Sequence, residues 1–487
     1  MHSVAGFCYY VAGISPPQGY HRPNQKRTHG FCNTIMSNKK AALELGTKPV
    51  SSLLVQYALP AIVAMVASSL YNMVDSIFIG QGVGALAISG LAITFPFMNL
   101  SAAFGAAIGV GASTFLSVKL GQRDYDIANK ILGNNVMLNI IVGIIFGGLG
   151  LLFLDPILRF FGASDATLPY AHDYMVIILL GNAITHLTLG LNAVLRSAAK
   201  PRLAMCITIF TVVINAILDP IFIYTLGLGI RGAAYATILS QLLALIWQWV
   251  LFSNKKEMLH FEYSKFHLDR RIISNILSIG ISPFAMNACA CLVVIFINNS
   301  LQQYGGDMAV GAYGISNRIA FIFVMVTIGV CQGMQPIAGY NYGAQNYNRM
   351  LEVLKLAAIA GTAVCAVGFL IAMVFPRACA RMFTTDEVLI AHSVVAMRYI
   401  MAVFIIIGAQ MVITNFFQSI GKAKISIFLS LSRQLIFLVP LLAILPKHMG
   451  LNGVWLAMPL SDAIAAIMAY AMLWFYIKRL KNLQANG

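Results

Sequence analysis

Residues 53–80 read LLVQYALPAIVAMVASSLYNMVDSIFIG: twenty-eight positions with one charge, Asp75, and one proline, Pro60. A run of about 20 apolar residues is what a helix needs to cross the hydrocarbon of a bilayer. The rest of the 487-residue chain has the same character. It is 59% hydrophobic and only 10% charged, against about 25% charged in a soluble domain, and its mean hydropathy is +0.80. A soluble enzyme is excluded on these grounds. Lipid admits only helices and closed barrels as spans, and long unbroken apolar runs, rather than strands of about ten alternating residues, select an all-α polytopic membrane protein.

Twelve such runs are predicted, at 53–80, 91–118, 131–153, 170–194, 203–225, 230–252, 275–302, 312–336, 352–375, 392–416, 424–446 and 451–477. The net charge of +16 sits in the loops between them. On the side of the N-terminus the loops carry twenty-one basic residues; the other side has five, Arg159, Arg231, Arg377, Arg381 and Lys447. The positive-inside rule then predicts a multi-pass membrane protein with both termini cytoplasmic. The basic residues form no face with interleaved aromatics, so no nucleic-acid partner is expected. The eight cysteines include no C-x-x-C pair and read as packing residues. Residues 1–35, with Pro16-Pro17 and no basic segment before their short apolar patch, read as an extension or a tail rather than a signal peptide.

The chain also repeats itself. Pro60 recurs as Pro283, Gly121-Gln-Arg-Asp-Tyr125 as Gly343-Ala-Gln-Asn-Tyr347, and Arg196-Ser-Ala-Ala-Lys200 as Gln418-Ser-Ile-Gly-Lys422, at offsets of 222 or 223. Six spans separate the copies, and an even number of crossings gives both copies the same orientation. Two six-helix lobes related by a parallel pseudo-two-fold axis, with a site between them, are a transporter architecture. The predicted units are a tail over 1–48, a first lobe over 49–252, a polar linker over 253–272, a second lobe over 273–480 and a tail over 481–487.

Function is expected where the repeat breaks. Asp75 has the neutral Asn298 at its repeat position, and Asp219, in Asn215-Ala-Ile-Leu-Asp219-Pro220, has Val439. Charge within a span is costly, and acids kept there point to ion pathways. A carboxylate withdrawn from water requires a proton or a cation, and two near one another act as a coupled unit. Carboxylates with neutral oxygens can equally strip the water from a hard cation. Asn215 and Asp219, four apart, share one helix face; Asn192 and Thr237, in the neighbouring fourth and sixth spans, are candidates to add oxygens. Pro60 removes a helix hydrogen bond fifteen residues before Asp75 and is a candidate hinge. Arg318, Arg398, Arg433 and Asp462 also break the repeat and are expected to be buried charges that pair with one another, while His186 is expected to be a packing residue. There is no phosphate-binding loop, H-E-x-x-H or nucleophile elbow, so an enzyme is not expected, and energy comes from an ion gradient.

These residues resemble a known family. From about Lys48 to Arg479 the chain resembles the multidrug and toxic compound extrusion (MATE) transporters, in a DinF- or MepA-like bacterial branch, through Pro60…Tyr71-Asn-Met-Val-Asp75-x-x-x-Ile-Gly80, Asn215-x-x-x-Asp219-Pro and Gly227-x-Gly-Ile-x-Gly232-Ala-Ala. The resemblance implies efflux of amphipathic, often cationic drugs in exchange for Na⁺ or H⁺, with no cofactor beyond that ion and a monomer in contact with lipid. It places a cation or proton site at Asp75, Asp219, Asn215, Asn192, Tyr174 and Thr237, and the bending proline at Pro60. Ser68, Tyr71 and Asn72, one or two turns before Asp75, join Asn298 and Arg318 as cavity candidates. A flippase for lipid-linked sugars, from the same superfamily, is the alternative; its pyrophosphate would suit Arg318, Arg398 and Arg433. A major-facilitator transporter would carry Gly-x-x-x-Asp-Arg-x-Gly-Arg-Arg between its second and third spans, which Gly121-Gln-Arg-Asp-Tyr-Asp126 lacks.

Overall fold

The computed structural model describes residues 43–83, 85–255, 257–262, 266–383 and 386–485. The predicted tail over 1–35 lies outside the described residues, as do the side chains of Tyr71 and Asn72. Among the described residues all regular structure is helical. The first half runs α1 Val50–Gly82, α2 Ala85–Gly121, α3 Tyr125–Leu152, short α4 Leu154–Phe160, α5 Leu168–Leu180, α6 Asn182–Ser197, α7 Pro201–Pro220 and α8 Gly229–Ser253. The second half runs α9 Arg270–Gly306 and α10 Met308–Gly343, then α11 Tyr347–Val374, short α12 Pro376–Arg381, α13 Glu387–Ile400, α14 Phe404–Ser419, α15 Ala423–Leu431, α16 Val439–Met449 and α17 Leu451–Ala485.

Among the described residues ten helices are long and apolar enough to span a membrane, counting α15–α16 as one, and up to twelve spans result when each of two bent pairs is one crossing. The bent pairs are the fourth and tenth spans, which the apolar runs portrayed as continuous. They break by 56° between α5 and α6 and by 51° between α13 and α14. The first bend turns at Gly181, pressed so closely on Ile238 of α8 that a Cβ would lie 2.3 Å from its Cδ1. Side-chain bulk at one residue decides this, and hydropathy averaged over a span does not register it.

Local chemistry sets the ends. Asp124, Asp269 and Asp386 accept hydrogen bonds from the first free N–H groups of α3, α9 and α13, the ordinary N-cap device. The repeat is written in the backbone as well. Left-handed φ at Arg123, Ala199 and Gly229 recurs at Gln345, Gly421 and Gly450, the same turns one repeat later. Gly306, with φ 63° and ψ −165°, separates α9 from α10; only glycine adopts that conformation without strain.

Both halves meet at the end of the bundle that carries the basic loops. One core cluster crosses between them there, joining Leu53, Tyr57, Ala112, Leu116 and Leu120 to Ile276, Met334, Ile337 and Ala338. The other three clusters each stay within one half. Backbones touch at the junction through paired glycines. A Cβ on Gly121 would lie 2.0 Å from the Tyr340 carbonyl oxygen, and one on Gly343 2.0 Å from that of Val118; each contact is the other shifted by 222 residues. Likewise Gly111 sits against Ile276 and Gly280, and Gly333 against Ala58. The junction ends near Gly329 on Ile62 and Phe104 on Phe284, with ring centroids 4.5 Å apart. Beyond it, among the described residues, the halves have separate cores.

Candidate cation site in the first half

Pro220 carries no N–H, so the helix bond to the Ala216 carbonyl is missing at the end of α7. The chain widens instead into a π-turn over Ile221–Thr225, an irregularity common at functional sites. Gly232 of α8 closes on this turn: a Cβ there would lie 2.7 Å from the Phe222 carbonyl. That approach carries Thr237 of α8 to Asn215 of α7. Asn215 Nδ2 donates to Asp219 Oδ1 at 3.2 Å and lies 3.5 Å from Thr237 Oγ1. From the same turn Tyr224 Oη donates to the Phe78 carbonyl at 3.1 Å, tying α1 to α7 one turn past Asp75.

Asp219 is fully buried and Asp75 6% exposed, on helices that the Tyr224–Phe78 hydrogen bond holds together. Three oxygens stay unsatisfied: Asp75 Oδ1, Asp219 Oδ2 and Asn215 Oδ1 are buried and receive no hydrogen bond among the described residues. An unmet buried acceptor costs about 1–3 kcal/mol, and a charged one more. Three together form an acceptor-rich pocket whose chemistry suits a proton shared by two carboxylates or a small hard cation.

Of the residues expected at this site, Asp75, Asp219, Asn215 and Thr237 come together. Tyr174, also buried, packs in the cluster that holds Ile79, Ile223 and Ala233, each about one turn from Asp75, Asp219 and Thr237. Asn192 does not join them. Its Nδ2 donates to the Ala204 carbonyl at 3.0 Å and to Thr208 Oγ1 at 3.3 Å, and its Oδ1 accepts from Arg196 at 2.5 Å. Thr208 lies eleven residues before Asp219, about 16 Å along α7 at 1.5 Å per residue. The α6–α7 hairpin folds back at residues 198–200, so Asn192 faces the start of α7 and not its end. Ser68 is half-buried on α1. Tyr224 was not expected, and Gly232 was noted only as part of the motif opening the sixth span; the signal for both was their place within a few residues of Asp219 and Thr237.

Pro60 lies inside α1, which is assigned as one unbroken helix from Val50 to Gly82. It is buried between Ala58 and Ile62, the residues that close on Gly333 and Gly329 of α10. His186 is buried with Nε2 2.9 Å from the Ser101 carbonyl and its ring against Gly105, a packing arrangement. Among the described residues the expected mutual neutralisation of the second-half charges is found for one pair: Arg433 Nε lies 3.5 Å from Asp462 Oδ1. Arg318 and Arg398 are exposed rather than buried, and Asn298 is half-buried.

The family model "MatE" matches residues 60–221 and again 283–444, one copy in each half and 223 positions apart. The multidrug export protein MepA of Staphylococcus haemolyticus (strain JCSC1435) is 27% identical over 427 residues, 88% of this chain and 94% of that protein. MepA of Staphylococcus aureus (strain N315) is 26% identical over 432 residues, 89% of this chain and 95% of that one. Among solved structures, an outward-facing multidrug resistance MATE family transporter of the MOP superfamily superposes with a TM-score of 0.85 at 25% identity, covering 90% of this chain and 98% of that one. A MATE in the bent conformation gives 0.86 at 25% identity, covering 91% and 99%.

Proposed function

We propose, from the premise that this chain belongs to the MatE family, that it is a multidrug exporter which expels amphipathic, often cationic compounds in exchange for Na⁺ or H⁺. It is a membrane transporter, not an enzyme, and its relatives named as multidrug export proteins span nearly its whole length. The observation that carries the ion-exchange reading is the set of three unmet oxygens on Asp75, Asp219 and Asn215. The basic end is the cytoplasmic end, so both termini lie in the cytoplasm of a bacterial inner membrane, and the separate cores of the two halves lie toward the outside. Residues 49–252 and 273–480 act as the two lobes, 253–272 links them, and 1–48 and 481–487 are tails. The protein works as a monomer among lipids.

The exchange follows from linkage. An ion bound at Asp75 and Asp219 can expel cargo only if its binding and the cargo's oppose one another, and the opposition is reciprocal. Helix α1 is the element positioned to carry it. Asp75 lies on its outer part, and Pro60 lies between its two contacts with α10. A change of charge at Asp75 that reshapes α1 therefore acts on the closure of the cytoplasmic end.

The test is purified protein in liposomes loaded with a lipophilic cationic dye, with an imposed Na⁺ or pH gradient. Dye movement against its own gradient is expected while one of the two ion gradients stands, and none after both collapse. Uphill movement with both collapsed contradicts ion exchange.

A further inference from the structure

The segment just before α1 belongs to the first half of the chain and is held by the second. Residues 43–47 form a single helical turn. It is cut off at Pro49: proline has no N–H, so the Leu45 carbonyl finds no donor four residues on. Two side chains of the second half supply donors instead. Asn341, at the end of α10, donates from Nδ2 to the Leu45 carbonyl at 3.0 Å. Arg349, in the first turn of α11, donates from Nη2 to the Lys48 carbonyl and lies 3.5 Å from that of Leu45. Around these bonds Leu45 is 1% exposed, within the core cluster that both halves share. Gly46 lies against Tyr340, whose Cε1 is 3.1 Å from a Cβ placed there. Tyr340 is also the residue whose carbonyl meets Gly121, so the grip on α1 and the closure of the lobes share one turn of α10.

The second half's first helix is held in the same way. Asp269 follows Gly46 by 223 positions, the spacing of Pro60 and Pro283. It caps α9 and donates its own N–H to Asn134 Oδ1 of α3 at 2.9 Å. Asn134 is fixed in turn by its Nδ2 on the Lys130 carbonyl at 2.9 Å. Each lobe thus grips the start of the other's first helix. The side chains that do so are not copies of one another: 222 positions away from Asn341, Arg349 and Asn134 stand Lys119, Ile127 and Leu356. The crossing recurs where the residues that make it do not.

We propose that this crossed grip is the latch of the cytoplasmic end: Arg349 and Asn341 hold the start of α1 on the second lobe while that end is shut, and the start leaves them when the end opens. The proposal rests on the export reading above and adds to it the residues that hold the closed state. Further out, α1 is fixed to its own lobe by Tyr224 on the Phe78 carbonyl at 3.1 Å. It therefore bridges the lobes, and parting them at Gly121 and Gly343 must either free its start or carry it across. Freeing it breaks hydrogen bonds that water replaces at the surface. Carrying it across strains bonds within α1 itself, one unbroken helix from Val50 to Gly82, and lipid replaces none of them. Arg349 is thus a positioning residue: it touches no cargo, and it biases the equilibrium between closed and open ends by what its bonds contribute to the closed one alone.

The test is a reversible lock together with a weakened latch, both on a background whose native cysteines are replaced and which still exports. Gly46→Cys with Asn346→Cys sets two thiols across the grip, since a Cβ on Gly46 lies 3.9 Å from Asn346 Nδ2. Oxidation is expected to stop efflux of a lipophilic cationic dye from cells of an efflux-deficient host, and a reducing agent to restore it. Efflux that continues with the cross-link complete overturns the proposal, because the start of α1 then travels with the second lobe and is never released. Arg349→Ala is expected to move the population toward the open cytoplasmic end by about tenfold or more, the scale of a hydrogen bond to an ionised group. Spin labels at Asp126 and Glu352, exposed and on opposite lobes, read this as a longer main distance. Arg349→Lys is expected to recover part of the short one. An unchanged distance in Arg349→Ala also overturns the proposal; should that variant fail to reach the membrane, the lock decides alone. If the reduced, unlocked protein and the wild type move no dye, the export reading falls, and the label distances still decide the latch.

Discussion

Asp219→Asn returns the drug susceptibility of an efflux-deficient host to that of the empty vector, while the protein still reaches the membrane in normal amount. Asparagine keeps the shape of aspartate and can keep the acceptor that Asn215 Nδ2 uses at 3.2 Å, so the hairpin of α7 and α8 stays intact. What goes is one of two negative charges in a pocket fully withdrawn from water. Losing a charged partner there costs an ion about 1.5–3 kcal/mol, roughly ten- to a hundredfold in affinity, and without the ion nothing drives cargo uphill. Asp75→Asn gives the same phenotype. Their combination is no worse than either, because groups that act as one unit are not additive. Susceptibility measurements with immunoblots of membranes check this. Full resistance with either variant would remove the pocket from the mechanism.

The second large effect is at the cytoplasmic closure. Gly121→Ala with Gly343→Ala places two methyl groups where only 2.0 Å separates each Cβ position from a backbone oxygen of the opposite lobe. Neither oxygen can rotate away, as both belong to helices. Overpacking costs about 1–3 kcal/mol per site, so the two together shift the balance of open and closed ends roughly thirtyfold to twenty-thousandfold. The expected result is a protein that folds and binds drug but rests open toward the cytoplasm and does not export. Spin labels at Asp126 and Asn348, exposed and one repeat apart, report it as a longer main distance than in the unmodified pair. An unchanged distance with normal export would show that the glycines are not needed for closure.

These two sites differ in how far they could be read from residue order. The spans were legible because each is a run of about 20 apolar residues, and the repeat because motifs such as Gly121-Gln-Arg-Asp-Tyr125 survive in both copies. The acids were legible because carboxylates are rare within spans and Asn298 and Val439 replace them one repeat later. The bends of the fourth and tenth spans were not, since hydropathy averaged over a span does not register a local break such as the one at Gly181, which lies close against Ile238. Asn192 was misplaced for a related reason: that a polar residue lies on a neighbouring span says nothing of its height, and the tight α6–α7 hairpin puts it beside Thr208. The second-half arginines were expected to be buried because in a membrane protein the side of a helix facing a cavity and the side facing a packed neighbour both break an apolar pattern.

The glycine pairs and the acid pocket are joined through α1, which touches α10 on either side of Pro60 and carries Asp75 further out. That link requires the ion and the cargo to compete for one protein through its conformation. The most direct measurement is equilibrium drug binding to purified protein across a series of Na⁺ concentrations and pH values, for the wild type and for Asp75→Asn/Asp219→Asn. The wild type is expected to weaken its hold on drug as Na⁺ or H⁺ rises, and to release drug by the same factor by which drug displaces the ion. The double variant is expected to bind drug with an affinity that neither ion changes. An ion dependence that persists undiminished after both carboxylates are gone would contradict the account.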